Sequence, residues 1–405
     1  MSRSLGSSRA LAPSARAALL LPAMLGCSLL GGSLLAGCSG SSAPTTKAGG
    51  SITLTISGEA LALEGYGFPP GPGQEVAFVD GWEVRFEHVL TTVGHVTLHE
   101  GPDTSPGDKA VLGAQVAELE GPFAVDLRAM APGDPGVVTG KGGGGELALE
   151  LGTLTQKSDG RPFDASARYA FGFELVSASA GAARLNLDAE ASALYDQMVA
   201  DGVTTLAVGT ATWKGTTCEQ ADAAEATPYD FGALPTTVRF VLPLEHGELH
   251  NLNCENPDND PAEPLPGEES LRGIQIKENT ATVAQVTLHT DHLFWTTLEH
   301  DSPLSFDHYA AWAVDQGDGT FVVTLEDLAG VAIEELVDRG GARVPWRSCL
   351  ADAPVTTTPT YMSFDPAGLT FEEGLHDFVL TASATMGHLN ADGLCLVEGF
   401  DGHSH

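Results

Sequence analysis

The chain has 405 residues, with 54 acidic against 19 basic side chains and a formal net charge of −35 at pH 7. Such a charge repels phosphate backbones and anionic lipid head groups, which excludes nucleic-acid binding, and it attracts cations. No GxSxG elbow, P-loop or dinucleotide fingerprint is present, and the tetraglycine at Gly142–Gly145 lacks the strand-to-helix setting a phosphate cradle needs.

The N-terminus carries Arg3, Arg9 and Arg16 without an acidic residue, then an apolar run from Ala17 to Leu30 and the tetrapeptide Leu35-Ala36-Gly37-Cys38. Residues 1–37 thus read as an export leader, and Gly31, Gly32 and Ser33 count against an ordinary spanning helix. The tetrapeptide resembles the end of a bacterial lipoprotein signal. That resemblance implies cleavage before Cys38, transfer of a diacylglycerol to its thiol and acylation of the new amine. Two or three acyl chains, at about 0.8 kcal/mol per buried methylene, hold a protein on a bilayer without any protein segment entering it. Ser39, where an aspartate resembles an inner-membrane retention signal, favours the outer membrane. Removing the leader takes three basic and no acidic side chains, so the mature chain is more negative still. Residues 38–50, CSGSSAPTTKAGG, read as a flexible tether.

From Ser51 onward the pattern is mostly strand. Ser51 to Ser57 and Trp82 to His88 alternate, and Glu146 to Leu151, Tyr169 to Val176, Thr204 to Trp213 and Thr237 to Leu242 are further short runs bounded by turn residues. Strands so spaced need a facing sheet, so a β-sandwich or barrel-like body is expected over residues 51–255. One helix interrupts it: Asp188 can cap AEASALYDQMVADG, with Leu194, Met198 and Val199 toward the core and Gly202 as the stop. Asn256 to Glu269 is acidic and broken by proline, the best candidate boundary before a second half, residues 256–405, that is α+β and either separate or packed onto the same sandwich. There Ala281 to His289 and Phe321 to Val323 read as strands, whereas Asp291 to His300, Ser305 to Val314, Thr324 to Asp338 and Thr370 to Gly387 read as short helices. The heptads Val93 to His99 (VGHVTLH) and Val283 to His289 (VAQVTLH) match at five positions, which could mark a duplicated sheet unit.

Four cysteines follow the anchor: Cys218, Cys254, Cys349 and Cys395. In an exported protein an even number implies disulfides, and of three connectivities the pairing of neighbours, Cys218 with Cys254 and Cys349 with Cys395, is the simplest. Without a CxxC pair, a thiolate metal site or redox motif has no support.

Histidines carry the functional signal. Val286 to His308, VTLHTDHLFWTTLEHDSPLSFDH, holds four of the thirteen, with carboxylates between them. Neutral imidazoles beside carboxylates are what zinc or copper binds. His289, Asp291 and His292 lead this set, with His300 and His308 as further donors, Asp291 acting as ligand or as orienter of an imidazole. A second constellation, His246, Glu248 and His250, would share one face of an extended strand. It is not HExxH, so zinc-protease chemistry is not indicated. His388 and the His376-Asp377 pair could complete a site with His289 or His292. The expected function is therefore a lipid-anchored envelope protein binding a divalent transition ion. A non-catalytic surface interaction module is the alternative. A hydrolase using His300 with Asp301, or His308 with Asp307, ranks third, because adjacent residues seldom face one another productively.

Overall fold

The computed structural model describes residues 48–71, 76–143, 145–220, 232–259, 264–296, 302, 304–330, 347–350 and 374–399. The leader, Cys38, the tether up to residue 47, His300 and the C-terminal histidines lie outside these residues.

Strands β1 to β10 are Ser51–Ser57, Trp82–Glu100, Gln115–Leu119, Phe123–Asp126, Val137–Thr139, Leu147–Leu154, Arg168–Val176, Ala183–Arg184, Thr205–Trp213 and Glu219–Gln220. Strands β11 to β20 are Thr237–Leu244, Glu248–Leu252, Ile274–Gln275, Ala281–Leu288, Val314–Asp315, Phe321–Thr324, Arg347–Ser348, Gly387–Leu389, Gly393–Leu394 and Leu396–Glu398. The helices are α1 (Glu59–Glu64), α2 (Ala189–Asp201), α3 (Asp307–Ala310) and α4 (Leu375–Ala384), with 3-10 turns at Thr290–Phe294 and Glu326–Leu328. The expected β-rich α+β class is what forms.

A six-stranded sheet runs β19-β18-β14-β1-β6-β5. A twelve-stranded sheet has the main path β15-β16-β11-β9-β2-β7-β12-β20, with β3, β4, β8 and β13 attached to it. Strands from both sides of the 256–269 loop pair within each sheet, so the second half contributes to the same β body. Alternation in β1 places Ile52, Leu54 and Ile56 in the core, and Thr55 and Ser57 are buried on the other face. Burial of both faces suits its parallel pairing with β14, in which Ser57 lies opposite Thr287.

The long strand β2 absorbs both the Trp82 to His88 run and the VGHVTLH heptad. Register shifts at Phe86/His88 and at Val93/Val96 bend it enough to keep pairing with β9 and β7 over 19 residues. The heptad's echo, β14, lies in the other sheet with different partners, so the two segments do not occupy equivalent sheet positions.

Helix α2 forms as its sequence dictates. The Asp188 side chain accepts from Ala191 N at 2.8 Å, and Gly202 adopts the left-handed conformation and donates to Met198 O. Its buried face is Ala191, Tyr195 and Met198, with Leu194 and Val199 packed at the margin. Two of the expected helices of the second half are shorter than their patterns, and residues 331–338 of a third and 370–373 of a fourth lie outside the described residues. Residues 290–294 are a 3-10 turn, Asp307–Ala310 a single helical turn ahead of β15, and Thr324 with Asp327 brackets a 3-10 turn through reciprocal backbone bonds. In the first two, β pairing or core contact captures the chain within a few residues, ahead of helix propagation.

The disulfides join Cys218 to Cys349 and Cys254 to Cys395, correcting the pairing of sequence neighbours. Sheet topology decides it: β12 pairs with β20, Leu252 opposite Leu396, which brings Cys254 and Cys395 to the same end of two adjacent strands. Two disulfides fit an oxidising compartment outside the cytosol. Among the described residues no helix is long and apolar enough to cross a membrane.

Candidate metal centre

The C-terminal ends of β1 and β14 lie side by side, and the chemistry gathers there. His289 is the first residue beyond β14, its backbone N–H bonded to Met386 O at 3.0 Å. Across the sheet His388 in β18 pairs with Thr287, two residues before His289, so both histidines stand on one face as diagonal neighbours. Buried Leu293 and Phe294 anchor the 3-10 turn into the core, and that turn folds His292 back over the pair.

The result is a three-histidine group. One nitrogen from each of His289, His292 and His388 lies within 4.8 Å of the other two. The ring centroids of His289 and His388 are 4.0 Å apart, those of His292 and His388 5.4 Å, and those of His289 and His292 5.7 Å. His292 and His388 are each 2% exposed, and His289 is half-buried.

Hydrogen bonds fix how these rings are presented. The Thr385 hydroxyl donates to Ala382 O at 2.8 Å, so toward His292 Nδ1, 2.9 Å away, it acts as acceptor. His292 therefore carries its proton on Nδ1, and Nε2 is the nitrogen that offers a lone pair. His289 Nε2 lies 3.1 Å from Ala391 O, which can only accept, so Nε2 is the protonated nitrogen and Nδ1 the donor atom. Ala391 is a non-glycine residue at φ 70 in the β18–β19 turn, held there by its N–H to Thr287 Oγ1 at 3.1 Å. A strained backbone thus serves to orient an imidazole. Trp295 stacks on His292 at 3.6 Å between centroids and 30° between planes, and its indole N–H donates to Asp291 Oδ2 at 3.1 Å.

Two carboxylates stand beside His289, Glu59 partly buried and Asp392 exposed. Glu59 follows β1 by two residues as His289 follows Thr287, so the parallel register sets them together, and Glu59 Oε1 lies 3.5 Å from His289 Nε2. Glu59, His289 and Asp392 form a second group whose ligand atoms lie within 4.8 Å of one another. Burial pushes the Glu59 carboxyl up to about 6, against the pull of His289 and with repulsion from Glu146, Asp291 and Asp392 adding to the rise. Neither Glu59 nor Asp392 stands out in the sequence. Only the parallel β1–β14 register and the β18–β19 turn make them neighbours of His289.

Other expected ligands stand apart. Asp291 is not among the grouped donors of the described residues, and it accepts from the indole N–H of Trp295, which stacks on His292. His246 does not share a face with Glu248 and His250, because Gly247 at φ 72 breaks the extended backbone ahead of β12. Its Nε2 faces Leu380 O at 3.0 Å and the Ser383 hydroxyl at 3.1 Å on α4, and burial drives its pKa down to about 4. Glu248 and His250 instead gather with Glu174, which lies 3.3 Å from His250 Nδ1, while Glu248 lies 3.6 Å from Nε2. These three form a further group whose ligand atoms lie within 4.8 Å of one another, more exposed than the three-histidine group. His308 is buried against Tyr309, outside the donor groups found among the described residues, and burial drives its pKa down to about 3. The adjacent Asp307 accepts from Trp82 Nε1 at 2.8 Å and from Arg347 Nε at 3.0 Å. It is thus committed to a structural ion pair rather than to His308.

Comparison with known proteins finds no matching family model, no similar curated protein and no similar solved structure. The histidine groups must be read from their own chemistry.

A cavity of about 320 Å³ adjoins the centre. His292, His388 and Trp295 line one end, and Leu394, Cys395 and Leu396 form part of its wall.

Proposed function

We propose that the chain is a lipid-anchored envelope protein that binds a divalent transition ion, zinc or copper, through His289, His292 and His388. One observation carries this reading: three imidazoles converge on one point, with the tautomers of His289 and His292 set by acceptors on their far nitrogens. Imidazole nitrogen suits zinc and copper, and a set of three imidazoles separates the site from the all-oxygen sites of hard cations. The carbonyl of Ala391 and the hydroxyl of Thr385 play the part that outer acceptors play around metal-binding histidines, fixing the ring and raising its basicity. Trp295, braced by Asp291, holds His292 from its face.

The anchoring half of the proposal rests on the Leu35-Ala36-Gly37-Cys38 signal alone, and the two disulfides support only export to an oxidising compartment. Lipid attachment at Cys38 and residence in the outer membrane are read from the sequence, with the acidic body carried off the bilayer by the tether.

Elemental analysis of untagged protein, refolded with equimolar zinc or copper and desalted, tests the metal reading. We expect about one ion per chain, and near-complete loss in His388→Ala. Absence of stoichiometric metal, with melting unchanged by either ion, leaves an interaction module on a β scaffold as the reading. Mass spectrometry of the membrane-extracted N-terminus tests Cys38.

A further inference from the structure

The cavity that touches His292 and His388 has a second, chemically different end. There Asn253 and Arg272 are buried, at 3% and 1% exposure, with Glu255 and Lys109 beside them. Asn253 sits at φ 48, and its amide nitrogen donates to Pro102 O at 2.9 Å and to Lys109 O at 3.1 Å. Rotating the amide would forfeit both bonds and press an oxygen against two carbonyls, so its orientation is fixed. That leaves Asn253 Oδ1 as a buried acceptor without a hydrogen-bond partner among the described residues, in a side chain that lines the cavity. A buried acceptor of this kind is costly unless something donates to it. Glu255 is also buried, and its Oε2 is pinned by the backbone N–H groups of Glu269 and Ser270, each at 2.9 Å.

Charge at this end balances. Arg272 is ion-paired with buried Glu268, Lys109 Nζ lies 3.6 Å from the same carboxylate, and Glu255 supplies the second negative charge. Two cations against two carboxylates disfavour any net-charged ligand, whose charge would be desolvated without a counterpart. A ligand carrying both signs has a partner for each: an ammonium for Glu255, of which only Oε2 is taken by the backbone donors, and a carboxylate for Lys109. The volume lies at the small end of the range of about 300 to 1,000 Å³ for small-molecule sites. From there the walls formed by Leu394, Leu396 and Trp295 lead to the imidazoles.

We infer that this cavity binds a free α-amino acid, its ammonium and carboxylate held at the Glu255 and Lys109 end and its side chain directed along the apolar wall toward His292 and His388. Only the side-chain end rests on the metal reading. With an ion in place, a side chain bearing a nitrogen donor reaches it; without one, the zwitterion end still binds.

Calorimetric titration of L-leucine and L-histidine into the untagged full chain, with and without bound zinc, tests this. L-leucine binds in both forms. N-acetyl-L-leucine, which lacks the ammonium, and L-leucinamide, which lacks the carboxylate, bind at least about tenfold more weakly. L-histidine exceeds L-leucine only in the zinc-loaded protein. Glu255→Gln keeps an oxygen for the two backbone donors yet weakens L-leucine about tenfold at unchanged zinc stoichiometry, and Leu394→Trp fills the cavity and abolishes binding. No heat from L-leucine up to about 10 mM, or equal binding of the two blocked derivatives, overturns the inference. Zinc binding without amino-acid binding removes this inference and leaves the metal centre standing. Amino-acid binding without zinc binding does the reverse.

Discussion

Trp295 lies face to face with His292, 3.6 Å between ring centroids, while its indole N–H is tied to Asp291 one helical turn back. The indole is thus the nearest fluorophore to the proposed ion. Copper binding should quench a large share of the emission, and Trp295→Phe should remove most of that quenching although four tryptophans remain. A fluorescence titration of the two proteins decides it. Equal quenching in both would place the ion elsewhere.

Glu59 faces the protonated nitrogen of His289 at 3.5 Å. A carboxylate in that position raises the basicity of a ligating ring, and its loss typically weakens metal affinity about 10- to 100-fold. Glu59→Gln should weaken zinc binding about tenfold in competition with a chromophoric chelator while leaving one ion per chain at saturation. Unchanged affinity would show that Ala391 O alone sets the ring.

His246 and His308 are buried neutral, their pKa values driven down to about 4 and about 3. In the unfolded chain each returns to about 6.5, so below that pH the unfolded state binds more protons than the folded one. The stability they contribute is complete above about pH 6.5 and is lost as pH falls toward 4, at up to about 1.4 kcal/mol per unit for each ring. Urea denaturation should show a steep fall between pH 6.5 and pH 5, and His246→Gln should be measurably less pH-sensitive. Parallel curves for wild type and variant would contradict the assignment.

Arg347, 5% exposed, donates to fully buried Asp307, which also accepts from Trp82. Removing one partner of a buried ion pair leaves the other charge uncompensated, so Arg347→Met should destabilise by about 3 to 5 kcal/mol. The paired change Arg347→Met with Asp307→Leu should recover part of that loss. Chemical denaturation of the three proteins measures both effects.

The disulfides close loops of 131 and 141 residues. In the chain-entropy account loops of this length contribute near the upper end of the usual range, about 4 to 5 kcal/mol each. Replacing Cys254 and Cys395 by serine should lower the denaturation midpoint and also weaken amino-acid binding, because Cys395 lines the cavity. The corresponding Cys218 and Cys349 variant should lose stability alone.

Much of the fold was legible because its signals are local. Alternation marked β1, residues 281–289 read as the strand that became β14, and Asp188 with Gly202 delimited α2 to the residue. The extent of β2 was not, because the bulges that let 19 residues stay paired carry no pattern of their own. The site was legible in part. The HTDH segment pointed to His289 and His292, and His388 stood among the histidines able to complete them, but its place opposite Thr287 is a property of sheet order. Glu59, Thr385 and Asp392 were silent for the same reason. The His246, Glu248 and His250 alternation misled because a single glycine at positive φ turns the chain between the first and second of them. Cysteine pairing likewise followed strand adjacency rather than distance along the chain.

The β14–β18 ladder has a consequence for how the proposed centre would come by an ion. Translation delivers His289 and His292 long before His388, and the three rings meet only when β18 has docked beside β14. A nascent or translocating chain therefore lacks the centre altogether. For a chain that leaves the cytosol unfolded, the available pool at the place where this last strand settles, not the cytosolic supply, would decide which ion the proposed centre takes.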